Sequence, residues 1–467
     1  MKLKNLLTIS VLLVTLITAS VSWSQVTVEY LGVGSALSIS GDGSVIVGNS
    51  YPDYETFRWT RETGMQLLGR GTVAIFGSGA GGPDVSDDGR YVTGTIASLD
   101  STYITVGRWN VDTGWEEMLP PLPPGGGMVD NAYGSAWGLS DDGSTVTGLF
   151  WLAEGGPFGA HGLAWTREGG PVDMGTTYGN SRINDANYDG SVLVGWDQRQ
   201  DGVWQPAVWD NGTLTWLSET EAFCLANCVT PDGNLIGGSA TNENGVRVAT
   251  AWIRQGETWQ ENILGALPGT GSPFGNAVVT DVSDDGSLLV GFNAWDPGWS
   301  TGFIFTLEDG LVDVDNFLAD NGVEFDPTLN IVSLTGVSGD GKHITGIATQ
   351  VFPPYANYSF VIHLDTSSSV PVPVMTHSLE PSYPNPYNPQ TTVPINLRQG
   401  DSVQLEVYDA AGRRVKTLHQ GYLSAGRHEF VWSGRNGQDR PVSSGVYFSR
   451  LTDGQGNIAT RRMVLVK

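Results

Sequence analysis

One phrase recurs along this chain: a small polar residue, then Asp-Gly within three positions, then an apolar strand ending in Gly. Its seven copies begin at Ser40 (SGDGSVIVG), Ser86 (SDDGRYVTG), Ser140 (SDDGSTVTG), Asn187 (NYDGSVLVG), Thr230 (TPDGNLIGG), Ser283 (SDDGSLLVG) and Ser338 (SGDGKHITG). Successive starts lie 46, 54, 47, 43, 53 and 55 residues apart. A unit of that length cannot bury its own apolar face, so the copies must stack or close radially. Recurrence also argues against reading any single copy as an active site.

Asp-Gly between two apolar runs predicts a tight hairpin turn with positive φ. Downstream of each copy stands a bulky pair spaced by one residue, such as Phe57/Trp59, Leu163/Trp165, Phe303/Phe305 and Phe360/Ile362. Period-two spacing puts both members on one side of a strand. A turn rich in Gly, Asn and Asp follows, then a fourth strand, as at residues 65–68, 172–174, 214–217 and 311–314. The seventh copy lacks this last strand, because the chain enters a linker after Leu364. Residues 26–32 (VTVEYLG) resemble the fourth-strand ends MQLLG and NILG. They are therefore expected to close the last blade and leave no open sheet edge. The expected fold is all-β: a seven-bladed β-propeller of four-stranded blades over residues 25–364, with an open solenoid as the alternative.

Residues 1–24 carry Lys2 and Lys4, an apolar run over residues 6–17, and small residues at Ser22 and Ser24. That is the pattern of a secretory signal peptide. No later stretch is long or apolar enough for a membrane helix, and no Cys near the cleavage site offers a lipid anchor. The expected location is extracellular or the outer cell surface. Residues 26–375 carry 42 acids against 11 bases, whereas residues 376–467 carry 7 acids against 11 bases. So acidic a body repels nucleic acid and anionic lipid, and both are excluded as its partners. Much of the acidity falls in turns, where Asp serves backbone geometry. No EF-hand loop occurs, so no metal or other cofactor is expected and calcium has no specific support. Cys224 and Cys228 would stand ~13 Å apart on a straight strand, too far to bridge. A bend between them in an oxidising compartment would permit a disulfide, and both readings stand.

Residues 365–379 form a Ser/Pro/Val linker with no helical period. Beyond it, short strands at residues 393–397, 403–408, 414–417, 428–432, 445–451 and 462–466 are separated by Gly-containing turns. This predicts a small antiparallel sandwich over residues 380–467. The phrases YPNPYNPQTT, LEVYDAAGRRVKTL, LSAGRHEFVWSGRNGQDRPVSSGVYFSRL and RRMVLVK resemble the FlgD-type Ig-like domain, which often serves as a sorting module of the type IX secretion system. The resemblance implies the type IX machinery as partner, with Tyr383, Asn385, Pro386, Asn388, Pro389, Gly445, Tyr447 and Lys467 in the matching motifs. A stalk that only spaces the propeller from a surface is the alternative. The propeller repeat resembles the extracellular HAF-type repeat family through S-x-D-G-x-x-x-x-G, although Phe305 and Ile362 replace Trp in the last two copies. That family implies fold and location but no agreed activity.

With four strands per blade, the Asp-Gly turns leave on one face and the longer second-to-third and blade-to-blade loops on the other. The long loops carry Tyr103, Trp151, Phe158, Trp196, Trp204, Trp295 and Trp299 beside Glu154, Asp197, Asp201 and Asp296. Flat rings with neighbouring carboxylates suit a glycan or peptide, stacking on C–H faces and accepting hydroxyl hydrogen bonds. Any single ring could equally fold back onto its blade as a loop anchor. The sequence holds no G-x-S-x-G elbow, H-E-x-x-H, P-loop or Cys/His pair, so no catalytic residue is assigned. The expected function is a secreted or cell-surface binding protein. A purely structural surface repeat or a carboxylate-based glycan-active enzyme are the other readings.

Overall fold

The computed structural model describes residues 23–466 apart from 52–53, 72–80, 119–124, 129–130, 153–158, 268–275, 296–298, 353–354, 367–376, 380–381, 386, 398–399, 410–412, 425 and 455–457. The chain divides into two compact units between Ser367 and Ser368.

Each repeated phrase builds the same turn. Ser40 Oγ accepts from Val45 N at 3.0 Å and donates to Asp42 Oδ1, which in turn accepts from Ser44 N at 2.9 Å. Gly43 N donates to Ser40 O, and Gly43 alone is left-handed, at φ 71°. The connection is thus a four-residue loop built on a β-turn rather than a two-residue turn with both central residues at positive φ. The Asp acts through its side chain, capping the loop, and not through its backbone.

In the first unit these hairpins build successive antiparallel sheets. Four sheets have four strands each, as in the order Ser181–Ala186, Val192–Gln198, Trp204–Asp210, Thr213–Trp216. One has three, Tyr91–Ala97, Ile104–Asn110 and Gly114–Glu117, with a bridge from Val85 to Val92 alongside. The remaining sheet has seven, because the 17-residue strand Trp23–Ile39 serves two partners. Its first part, to Val33, pairs with Asn357–Thr366, and its second, from Gly34, pairs with Val45–Ser50. The first and last repeats are thereby joined through one strand, where residues 26–31 were expected to make that connection. These sheets form a β-propeller.

A chain of backbone bonds crosses from sheet to sheet at the turns. Gly41 N reaches Asp87 O (3.1 Å), Asp87 N reaches Asp141 O (2.9 Å), Asp142 N reaches Tyr188 O (3.1 Å) and Tyr188 N reaches Pro231 O (3.2 Å). Asp284 N reaches Gly339 O, and Asp340 N returns to Gly41 O, both at 3.0 Å. Last and first repeats therefore meet here as well, which an open solenoid does not provide.

In six repeats the first strand of the hairpin carries a bulge, for example between Ile183 and Asp185. The bulge brings that strand's backbone against the Gly that ends the phrase, whereas Gly94 of the second repeat meets the Thr56 and Trp115 side chains. A Cβ on Gly195 would lie 2.0 Å from Arg182 O, and one on Gly48 2.0 Å from Ser35 O. These glycines are required by close approach rather than by their φ. Gly195→Ala is expected to cost about 2–3 kcal/mol, because the obstruction is backbone and cannot rotate away; a denaturant titration with unchanged midpoint would refute this.

The bulky strand residues fill the space between sheets, with Trp209, Trp252, Phe303 and Phe360 fully buried. Trp209 Nε1 donates to Met174 O (2.7 Å) and Trp252 Nε1 to Ser218 Oγ (2.8 Å), so each indole finds the partner that burial demands. One short helix, Val314–Asp320, follows the strand Gly310–Asp313. Asp313 caps it by accepting from Asp315 N and Asn316 N, and Val314, Phe317 and Leu318 face the core. Sequence periodicity had extended the strand through Val314.

In the second unit a three-stranded sheet (His377–Leu379, Thr391–Leu397, Gly426–Trp432) and a four-stranded sheet (Arg414–Leu423, Asp401–Asp409, Gly445–Thr452, Ile458–Leu465) enclose one apolar core. Trp432 is fully buried there and meets Tyr447 edge-on at 4.9 Å.

Candidate functional site

Strand register gathers an aromatic ladder at the end of the propeller opposite the Asp-Gly turns. Arg182 pairs with Trp196, and Gln198 at the end of the same strand pairs with Trp204. The Trp196 and Trp204 rings stack at 4.3 Å with 11° between planes, and Phe223 meets Trp204 edge-on at 5.3 Å. On the other side, Arg182 Cζ lies 3.6 Å from the ring centroid of Trp137, which belongs to the strand Gly134–Leu139 of the preceding sheet, and 5.7 Å from that of Trp196. One guanidinium and four rings thus form a continuous run across two sheets. Phe223 is 52 % exposed and Trp204 half-buried, whereas Trp196 is buried. The ligand-accessible end of the ladder is therefore Trp204 with Phe223.

Arg182 is held from below. Its Nε donates to Asn184 Oδ1 at 2.7 Å, and Asn184 is fixed in turn by donating to Ala226 O at 2.7 Å. Burial pulls its pKa down to about 10, with no nearby carboxylate to offset the desolvation. Seven of the ten arginines of this unit have a carboxylate within salt-bridge distance. Of the other three, Arg58 is tied to Gly89 O and Arg247 to Ser239 Oγ. Arg108 also lies between two rings, Tyr91 and Trp165, but is paired with Glu116. Arg182 differs in lying between rings with no carboxylate beside it.

Other proposed site residues are placed differently. Asp197 is fully buried and accepts from Thr176 Oγ1 (2.6 Å), Thr177 N (3.0 Å) and Trp216 Nε1 (2.7 Å). It braces the sheet and is unavailable to a ligand, a correction to its assignment on the loop face. Asp201 is exposed and held at about 2 by its hydrogen bonds from Arg199. Tyr103 packs edge-on against Tyr133 at 5.0 Å as a loop anchor, and Trp151 ends the strand Thr145–Trp151 half-buried. Trp295 and Trp299 pair across a hairpin, but their side chains, like Glu154, Phe158 and Asp296, lie outside the described residues. Trp137, Arg182 and Phe223 were missed. The signal for Arg182 was its place: five residues before the phrase, the other six copies have Ser35, Gly81, Ser135, Leu225, Val278 and Ser333.

A second cluster lies on the axis, at the turn end. Asp84, Asp185 and Asp281 each stand two residues before alternate copies of the phrase, where other copies have Ser38, Gly138, Cys228 and Gly336. Each carboxylate accepts its own following amide through Oδ1 (Val85, Ala186, Val282) and an amide of the next sheet through Oδ2 (Leu139, Val229, Val337), all within 2.7–2.9 Å. With Asp87, Asp141 and Asp284 they line a cavity of ≈ 70 Å³. Burial raises Asp84 from its ordinary value, Asp141 and Asp185 well above theirs, and Asp281 to about 7. Among the described residues no group of His, Cys, Asp and Glu is close enough to ligate a metal.

Cys224 and Cys228 are both buried, free thiols, so the bridged alternative is not the one adopted. Cys228 Sγ lies against Gly237 on the paired strand, whereas Cys224 sits among Thr220, Ser239 and Arg247. Burial raises both thiols.

In the second unit Tyr447 is a core residue whose hydroxyl donates to Ser443 O at 2.7 Å. Tyr383 donates to Glu429 Oε1 (2.6 Å), and Asn385 Oδ1 accepts from Val464 N (2.8 Å), so both pin the 382–390 segment to the sandwich. Asn388 and Pro389 occupy that segment and Gly445 begins a strand, while Pro386 and Lys467 lie outside the described residues.

No curated protein matches the chain. Among solved structures it is similar to TolB from Acinetobacter baumannii, at 13 % identity over 60 % of this chain and 62 % of that one, with a TM-score of 0.37. It thus spans about three fifths of that protein's length. An oligogalacturonate lyase in complex with manganese is similar at 13 % identity, 73 % and 90 % coverage and a TM-score of 0.46. The β-propeller domain of the trilobed protease from Pyrococcus furiosus is similar at 9 % identity, 72 % and 94 % coverage and a TM-score of 0.42. In the second unit, residues 390–456 match the family described as the FlgD Ig-like domain.

Proposed function

We propose that this chain is an exported, non-catalytic binding protein. In this reading the propeller has seven blades: the seven-stranded sheet counts as two four-stranded blades sharing the strand Trp23–Ile39, and the Val85–Val92 bridge completes the three-stranded one. The HAF-type repeat supplies the turns, and the FlgD-like unit directs type IX secretion to the outer surface. The observation that carries the binding role is the Trp196–Trp204–Phe223 ladder, whose outer rings remain partly exposed at the end of the propeller away from the turns. A flat stacked pair presents a π-face to sugar C–H groups or a peptide side chain at low entropic cost.

The test is retention of the full chain on immobilised glycans and peptides. Trp204→Ala is expected to weaken retention at least ~10-fold with an unchanged fold, since an exposed platform contributes about 1–2 kcal/mol through stacking. Equal retention by the variant would remove the ladder as the binding surface. For sorting, deletion of residues 377–467 in a host with type IX machinery is expected to strand the propeller in the periplasm. Surface display of the truncated chain would leave only the stalk reading.

A further inference from the structure

We propose that Arg182 reads a carboxylate on the ligand, so that the site takes a glycan ending in an acidic sugar, the next sugar ring lying on Trp204. The inference rests on the binding role proposed above and names the ligand class of that same surface.

Four observations converge on it. Two guanidiniums of this acidic propeller lie between aromatic rings, and of the two Arg182, with Trp137 at 3.6 Å and Trp196 at 5.7 Å from Cζ, is the one without a carboxylate partner, Arg108 being paired with Glu116. Its Nε is occupied by Asn184, which turns the guanidinium so that Nη1 and Nη2 remain; neither has a partner among the described residues. Those two nitrogens form one edge of a planar fork whose spacing matches the two oxygens of a carboxylate. Finally, a buried charge without a counterion costs several kcal/mol and is retained where something repays it. Cation–π contact with Trp137 returns only part of that cost.

The neighbouring rings choose among the anions such a fork could take. Trp196 is buried between Arg182 and Trp204, one strand from each, so a ligand whose carboxylate reached Arg182 would need a second ring to reach Trp204. A glycan with a terminal sugar acid fits this, its carboxylate meeting Arg182 while the C–H face of the next sugar stacks on Trp204. A polyanion fits poorly, because 42 acids on residues 26–375 repel a chain of like charges. The ligand is therefore a mostly neutral glycan with a single terminal acid. Asp185 is the carboxylate on the strand of Arg182, and it is turned away, its oxygens accepting amides from Ala186 and Val229.

The experiment compares the full chain on three immobilised probes: an oligosaccharide ending in glucuronate, its methyl ester, and an acidic peptide. The wild type is expected to retain the glucuronate-terminated probe at least ~30-fold better than the ester. Arg182→Gln is expected to abolish that preference while keeping weak, Trp204-dependent retention of both sugars. Because Arg182 has no counterion, Arg182→Met is expected to leave the thermal midpoint unchanged or raised; a clear drop would mark the residue as structural and overturn the proposal. Equal retention of acid and ester, lost in Trp204→Ala, would overturn the carboxylate while preserving the binding surface. Retention of the peptide in place of the sugars would overturn the glycan. No retention of any probe would overturn both this inference and the binding role on which it rests.

Discussion

A chain that begins at residue 34 is expected to lose cooperative folding of the propeller. Deleting residues 23–33 removes one of the two partners of Asn357–Thr366, a strand that buries Phe360, Val361 and Ile362 and would keep only His343–Gln350 beside it. It also removes Val26 and Leu31, 6 % and 8 % exposed, and the Tyr30 ring that meets Phe325 at 5.4 Å. Two buried aliphatic side chains contribute about 1.5–3 kcal/mol each. The aromatic contact adds about 1 kcal/mol. The total, about 5 kcal/mol, is of the order of a whole domain's stability. The ion pairs of Glu29 with Arg61 and His363 are solvent-facing and add little. An apolar strand edge left open also invites aggregation. Urea unfolding followed by tryptophan emission should show the loss, and a synthetic peptide of residues 23–33 added in trans should restore part of it. An unchanged midpoint in the truncated chain would mean that the shared strand does not close the ring.

That connection was legible because it rests on local pattern. The period, the Asp-Gly turn and the missing last strand are all written within short windows. The residues that shape the interior were less legible, since their roles depend on neighbours in other repeats. The Gly ending each phrase reads as a strand terminus, yet Gly195 is needed because a bulge carries Arg182 O against it. Asp197 reads as a surface acid beside Trp196, but its three donors come from Thr176, Thr177 and Trp216, one of them across the sheet. Strand alternation could not separate the two, because Trp196 and Asp197 are both buried, on opposite faces of one strand. Arg182 was hidden for the opposite reason. It is the sole base at a position otherwise small or apolar, and significance attaches to it only once Trp137 is seen above it. The helix Val314–Asp320 is three apolar residues at i, i+3 and i+4 behind an Asp cap, too short to stand out against the strand before it.

The axial carboxylates are expected to make the propeller more stable in mild acid than at neutral pH. Asp281 titrates near 7 in the folded chain, raised chiefly by burial, against about 4 when unfolded. The folded state therefore binds the extra proton between those values, and stability from this group falls as pH rises from about 4 to 7. Three units correspond to about 4 kcal/mol, fully lost above the folded value. Asp84, Asp141 and Asp185 are shifted in the same direction and steepen the slope. Asp42 and Asp285, held below the usual range by turn hydrogen bonds, act oppositely and withdraw their support only as pH falls below about 4. The maximum is thus expected near pH 5, with a urea midpoint well above that at pH 8. General repulsion among surface acids would give a similar trend, but salt screens exposed charges far more than buried ones. The trend should therefore persist in concentrated salt. Asp281→Asn separates the causes further. An amide can accept from Val282 N or Val337 N but not from both through its two heavy atoms, so the variant should lose about 1–3 kcal/mol at pH 5. At pH 8 it escapes the cost of a buried charge and should equal or exceed the wild type. Curves that stay parallel across this range would show that Asp281 carries its charge at no cost, which a carboxylate sealed inside the ring of turns could do only with a bound counter-ion.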